Sequence, residues 1–132
     1  MNAARPRVRV HVVAIDDEHR MLLGRRPRTV MWTLPWTYLR IGEDPARVAR
    51  ALVHDTGALP TLPRVHSVES AVELGDHFLD LTYRCTAERN WKSSAADSTA
   101  LWWSLNEISS LELAQRATGA LVHAWPQLWP QT

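Results

Sequence analysis

The residues best suited to binding or catalysis lie in one short segment, residues 34–60, which reads LPWTYLRIGEDPARVARALVHDTGALP. If this segment is helical, positions 51, 54 and 55 share one face, because residues three and four apart are neighbours on a helix. They are Ala51, His54 and Asp55. An imidazole beside a carboxylate is suited to proton transfer near neutral pH, so His54 and Asp55 are candidate acid–base residues. The alternative is that His54 only compensates the dipole at the end of a helix.

Arginines surround this face. Arg47 and Arg50 lie on the adjoining side of the same helix, and Arg40 precedes it. Guanidinium groups hold carboxylates or phosphates through charge-assisted hydrogen bonds, so the three arginines are candidate ligands for an anionic substrate without an intervening metal. Alternatively, they form surface ion pairs with nearby acids, which contribute little to stability.

Local signals predict the elements that position these residues. Asp44 is a typical N-cap and Pro45 is suited to the first helical position, so we expect a helix from there to about residue 55 or 56, closed by Gly57. A strand is expected over residues 33–41, with an edge or bulge at Pro35. The remaining expected elements are a hairpin over 7–26, a hairpin over 65–87 turning at Gly75-Asp76, a strand at 101–105 and a last helix from Ser110 to about Trp125.

Composition narrows the class of protein. The chain has 132 residues, enough for one domain, which we assign to residues 1–132. Lys and Arg number 15 against 14 Asp and Glu, so a bulk electrostatic grip on nucleic acid or on an anionic membrane is not expected. The single cysteine, Cys85, excludes an internal disulfide, and no apolar run suits a signal or membrane segment. We therefore expect a cytoplasmic protein.

Taken together, these motifs resemble the Nudix hydrolases over nearly the whole chain. The resemblance rests on LLGRR at the end of the first strand pair, WTLP, the GEDP helix start, DTG after the helix, and WWSLNEI near the C-terminus. It implies a Nudix-like α/β/α sandwich around a mixed β-sheet. The family signature ends in R-E-U-x-E-E-x-G-U, where U is a large apolar residue. Arg50, Leu52 and Gly57 match it, whereas the three acidic positions are Ala51, His54 and Asp55.

The departures from the signature fall on the metal site that the family implies. Three carboxylates on one helix face can converge on Mg²⁺, which prefers oxygen ligands, whereas imidazole suits softer metals. Here one carboxylate remains, and we expect no metal cofactor. Mg²⁺ would bind only if acids outside the helix rebuild the site, for which Asp97 and Glu88 are the candidates. Glu73 and Asp80, near the turn of the second hairpin, are expected to be solvated.

The resemblance also implies where a substrate would bind. The family's L-P-G-G loop reads Leu34-Pro35-Trp36-Thr37 here, so Trp36 fills space that glycine would leave open. Trp32 and Trp36 are candidates to stack on a base or to enclose an apolar substrate. Arg26, at the end of the second strand, can face the substrate, although a solvated strand end explains it equally well.

Two classes of function stay open. The first is a divergent Nudix-family enzyme with a degenerate metal site, acting on a small organic or nucleotide-type substrate without the usual Mg²⁺-dependent pyrophosphate hydrolysis; a weak hydrolase of nucleoside diphosphate derivatives is its variant. The second is a non-catalytic module that binds a ligand or a partner. A small-molecule substrate is expected, neither nucleic acid nor membrane, and the tail LVHAWPQLWPQT could pack against a second copy to form a homodimer.

Overall fold

A computed structural model of the chain describes residues 5–25, 31–89 and 100–108. Within these ranges three strands precede the first helix, and four strands and a short helix follow it. They are β1 (Arg7–Asp16), β2 (Arg20–Gly24), β3 (Trp36–Tyr38), α1 (Pro45–His54), β4 (Ala58–Pro60), β5 (Arg64–Glu73), β6 (Asp76–Arg89), β7 (Ala100–Ser104) and α2 (Leu105–Ile108). The last helix predicted from Ser110 lies outside the described residues. In the part of the chain described, neither helix has the length and apolar character to cross a membrane.

The strands form one mixed sheet. Its main path runs β4-β6-β1-β2-β7, while β3 pairs with β1 and β5 pairs with β6. The pairing of β1 with β6 is parallel over the whole of β1, and the other pairings are antiparallel. This mixed α/β architecture confirms the predicted fold class.

The main core lies between α1 and one face of the sheet. Val10 and Val12 of β1 alternate onto this face, as the period of two predicts, and meet Ala49 and Val53 of α1. All four side chains have no exposed surface. Because burying a Val side chain contributes ~1.5–3 kcal/mol, this seam fixes which face of α1 is turned inward. We call this side of the sheet the helix face and the other side, where Val13 and Ile15 are also buried, the open face.

Local chemistry sets both ends of α1, as predicted. The Asp44 side chain accepts a hydrogen bond from the Ala46 N–H at 3.1 Å, and Pro45 begins the helix. Gly57 has a φ of 92°, a left-handed conformation that favours glycine, and its N–H donates to the His54 carbonyl at 2.9 Å. The helix therefore ends at His54, and Asp55 is its C-cap.

β3 is shorter than the strand expected over residues 33–41, and two further details of the strands differ from the expectation. The second hairpin turns at Leu74-Gly75, both with positive φ (52° and 83°), and not at Gly75-Asp76. The short strand β4 was not predicted. It contains Pro60 and is held by antiparallel pairing with the end of β6, a tertiary contact that a three-residue stretch does not signal.

Candidate functional site

The outward face of α1 carries most of the predicted site. With Ala49 and Val53 packed inward, five other side chains of this segment are exposed to solvent. They are Arg47, Arg50, Ala51, His54 and Asp55. The structure thus brings the two candidate acid–base residues and two of the three candidate anion-binding arginines onto one solvent-facing surface. This follows from the 3.6-residue period and the apolar positions that face the sheet.

These residues do not fit the Mg²⁺ site that the fold implies. Three or more carboxylates would be needed, and this face offers Asp55 alone beside the imidazole of His54. Across the described ranges, no group of three or more His, Cys, Asp or Glu side chains could hold a metal ion. Of the two acids considered as replacements, Glu88 is exposed on β6 and Asp97 lies outside the described residues. We therefore derive no chemical step through a metal.

Glu43 stabilises the turn that leads into α1 through hydrogen bonds to Arg40. The Arg40 N–H donates to Glu43 Oε1 at 2.8 Å, and the Glu43 N–H donates to the Arg40 carbonyl at 3.1 Å. Gly42, with a φ of 86°, closes this turn. The Arg40 side chain is exposed. Arg47 reaches only to 4.0 Å from Asp44, and such an exposed pair contributes ~0–1 kcal/mol, so both arginines remain accessible to an anion.

Trp36 lies on the other side of the sheet. In the pairing of β3 with β1, Trp36 is opposite His11 and Tyr38 is opposite Arg9, so both aromatic rings point to the open face. Leu39 points to the helix face and packs against the core. The sheet therefore separates Trp36 from the exposed face of α1.

Trp32 is also distant from α1. Its ring meets that of Trp103 edge-on at 4.9 Å between centroids, and the Arg25 guanidinium lies 5.0 Å from the Trp32 ring. This half-buried aromatic pair belongs to the β2–β7 end of the sheet, where Met21 is opposite Trp103. Arg26, the other predicted substrate contact in this region, lies outside the described residues.

The open face carries a buried polar cluster that the sequence did not reveal. The Arg9 guanidinium donates to Asp80 from Nε (2.7 Å) and Nη2 (3.0 Å), and to Glu73 from Nη1 (3.2 Å) and Nη2 (2.6 Å). His11 Nε2 lies 2.8 Å from Asp80 Oδ1. Arg9 is 8% exposed, His11 4% and Asp80 0%. The expectation that Asp80 is solvated was therefore wrong, whereas the Glu73 side chain is 53% exposed.

The charges and hydrogen bonds of the cluster determine which of its groups are protonated. Hydrogen bonds to Glu73 and Asp80 raise the pKa of Arg9, so the guanidinium is always charged. Its central carbon lies 3.9 Å from the centroid of the Phe78 ring and 5.7 Å from that of Trp36, an arrangement that favours a cation. An ionised carboxylate only accepts hydrogen bonds, so a neutral His11 carries its proton on Nε2 and presents Nδ1 as the ring acceptor. The cluster thus orients an imidazole 5.9 Å from the Trp36 ring.

One signal in the sequence pointed to this cluster. Asp80 is a single acid inside the apolar run FLDLTY, and a charge in such a run requires a partner. The partner could not be named because Arg9 and Asp80 become neighbours only through the parallel register of β1 and β6.

The fold class follows from the mixed sheet and the capped α1. A NUDIX hydrolase from Nitrosomonas europaea superposes with a TM-score of 0.71 at 16% identity, over 97% of this chain and 98% of that one. A MutT protein from Bacillus halodurans gives 0.69 at 19% identity, over 91% and 82%. The NUDIX domain of Shewanella oneidensis NrtR, solved with ADP ribose, gives 0.66 at 15% identity, over 98% and 91%.

These similarities show that the chain has the fold of the Nudix hydrolases, as the resemblance in sequence predicted. A longer protein from Sinorhizobium meliloti also superposes with a TM-score of 0.67, at 19% identity and over 91% of this chain, but the chain spans only 38% of that protein's length. No protein-family model matches the sequence, and no curated protein matches it either.

Proposed function

We propose that this chain is a divergent enzyme of the Nudix fold that acts on a small organic or nucleotide-type substrate without Mg²⁺-dependent pyrophosphate hydrolysis. The observation that carries the proposal is the exposed face of α1, which presents two arginines, a histidine and a single carboxylate. A surface of this composition attracts anions and repels cations. It therefore favours direct binding of a carboxylate or phosphate over binding through a metal.

In this proposal Arg40, Arg47 and Arg50 hold the anionic group of the substrate. His54 and Asp55, adjacent at the end of α1, exchange protons with it. Trp36 contributes an aromatic wall from the open face of the sheet, and the buried, Asp80-bound His11 supports that wall from behind at 5.9 Å between ring centroids. Trp32 and Arg26 stay predictions outside this site, since Trp32 packs against Trp103 at the β2–β7 end of the sheet and Arg26 lies outside the described residues.

The first test is turnover of a panel of nucleoside diphosphates, dinucleotides and ADP-ribose with and without Mg²⁺ or Mn²⁺. ADP-ribose belongs in the panel because the NUDIX domain of NrtR was solved with it. We expect no metal-dependent release of phosphate products. Strong metal-dependent hydrolysis of any member would overturn the proposal and favour the weak-hydrolase alternative.

A second test restores the acids. The A51E/H54E variant places two new carboxylates beside Asp55 on one helix face, so its Mn²⁺ affinity should rise roughly tenfold or more over the wild type. The A51Q/H54Q variant has the same side-chain length without the charge and is the matched control. If the wild type already binds Mn²⁺ as tightly as A51E/H54E, the degenerate face of α1 is not what prevents metal binding.

The second candidate function is a non-catalytic ligand-binding module. It is favoured by the solvent exposure of the α1 surface, since proton transfer is most effective where water is excluded. H54A and D55N separate the two functions. Ligand affinity measured by calorimetry should persist in both variants under either function, while loss of turnover in both identifies an enzyme.

A further inference from the structure

β5 forms an edge of the sheet with apolar side chains turned to solvent. In the described part of the chain its only partner strand is β6. Val68 is 58% exposed and Val72 is 72% exposed, and both lie on the helix face beyond the reach of the α1 core. An edge strand presents a row of backbone donors and acceptors to any second strand of suitable shape.

Only the first part of this edge has a backbone irregularity that hinders pairing with a strand of another molecule. A register shift between Val65 and Ser67 marks a bulge, which twists an edge away from intermolecular pairing. From Ser67 to Glu73 the pairing with β6 is regular. The acids of this regular stretch, Glu69 and Glu73, point to the open face, so the helix face of the edge reads Val68, Ser70, Val72 without a charge.

We propose that this edge pairs with β5 of a second copy of the chain, antiparallel, about a two-fold axis at Ser70. Residues directly opposite each other in an antiparallel pair share a face of the sheet. Val68 then packs against the partner's Val72, Ser70 lies opposite the partner's Ser70, and Val72 packs against the partner's Val68. The palindrome Val-Ser-Val therefore matches itself, and the two seven-stranded sheets become continuous.

Charge selects this register over its neighbours. A two-fold axis at Glu69 places its carboxylate opposite the same carboxylate of the second copy. A two-fold axis at Ala71 places Glu69 opposite the partner's Glu73. Like charges directly opposite each other are destabilising. An axis at Val68 brings the regular stretch of one copy against the bulge of the other. With the axis at Ser70, Glu69 lies opposite Ala71 and Glu73 opposite Ser67, so no like charges face each other.

A cross-link tests the register directly. Residues directly opposite each other in an antiparallel pair have Cα atoms ~4.5–5.5 Å apart, within the range of a disulfide. S70C should therefore form a covalent dimer on mild oxidation. V72C is the matched control, because position 72 of one copy and position 72 of the other are four residues apart along the paired strands, ~13 Å. The native Cys85 does not compete, since it is buried and burial raises its pKa to about 12.

Charge substitutions test the interface without a cross-link. The V68K/V72K variant places lysines opposite each other twice and should sediment as a monomer, whereas V68K/V72E places Lys opposite Glu and should sediment as a dimer like the wild type. V65K adds a charge at a residue of equal exposure, 57%, outside the regular stretch and should not change the dimer. A monomeric wild type, or equal cross-linking of S70C and V72C, overturns the proposal.

Discussion

The buried cluster on the open face makes a quantitative prediction about stability. Asp80 and Glu73 both accept hydrogen bonds from Arg9, but the Asp80 side chain has no exposed surface and that of Glu73 is 53% exposed. D80N and E73Q each replace one carboxylate by an amide of the same shape. The two variants therefore remove the same charge from the same guanidinium at two different depths.

Burial should decide the size of the effect. D80N leaves Arg9 and His11 without the carboxylate that accepts from both, at donor distances of 2.7–3.0 Å. Breaking a buried, hydrogen-bonded ion pair by removing one partner costs ~3–5 kcal/mol. E73Q removes a partly solvated partner, and surface pairs contribute ~0–1 kcal/mol. At roughly 3–4 °C per kcal/mol for a chain of this size, D80N should lower Tm by ~10 °C or more.

Urea unfolding followed by tryptophan fluorescence and circular dichroism measures both variants under the same conditions. The free energy of unfolding should fall several times more for D80N than for E73Q, with similar m-values. Equal losses in the two variants would refute the reasoning, because they would show that burial of Asp80 does not control the strength of the cluster. A D80N protein as stable as the wild type would refute it as well.

Three further outcomes are expected. L74N should raise the free energy of unfolding by ~1 kcal/mol in urea melts, because Leu74 is fully exposed with a φ of 52° and Asn-Gly suits two successive positive φ angles. Burial raises the pKa of Asp16, so the folded chain binds that proton more tightly than the unfolded chain and should lose stability as pH rises above the ordinary pKa of an aspartate; D16N should lack this loss. The Cys85 thiol, with a pKa raised to about 12, should react with a thiol reagent at about pH 8 only after denaturation.

Elements fixed by local chemistry could be predicted from the sequence. The caps of α1 depend on Asp44, Pro45 and Gly57, whose preferences act within a few residues. The second turn was displaced by one residue because Gly75 suits either central position and Asp76 is itself a common turn residue. The register that pairs Glu73 with Asp76 decides the turn, and that register follows from the whole of β5 and β6.

The candidate site likewise has a part that could be predicted from the sequence and a part that could not. Residues of α1 are close in sequence, so the helical period predicted which of them share a surface. Arg9 and Asp80 are 71 positions apart and meet through the parallel pairing of two strands. The sequence supplies no register for that pairing, so Asp80 was expected to be solvated. An acid inside an apolar strand therefore indicates a buried ion pair even where its partner cannot be named.

The two groups of candidate residues lie on opposite sides of the sheet, and β3 connects them. Trp36 points to the open face beside His11, and four residues later Arg40 lies in the turn that leads to α1. At ~3.3 Å per residue, the backbone at these two positions can be no more than ~13 Å apart. Both side chains are long, so one molecule of nucleotide size that passes around the end of β3 could contact both. Inorganic phosphate could not, which is why the proposed substrate combines an anionic group with an organic body.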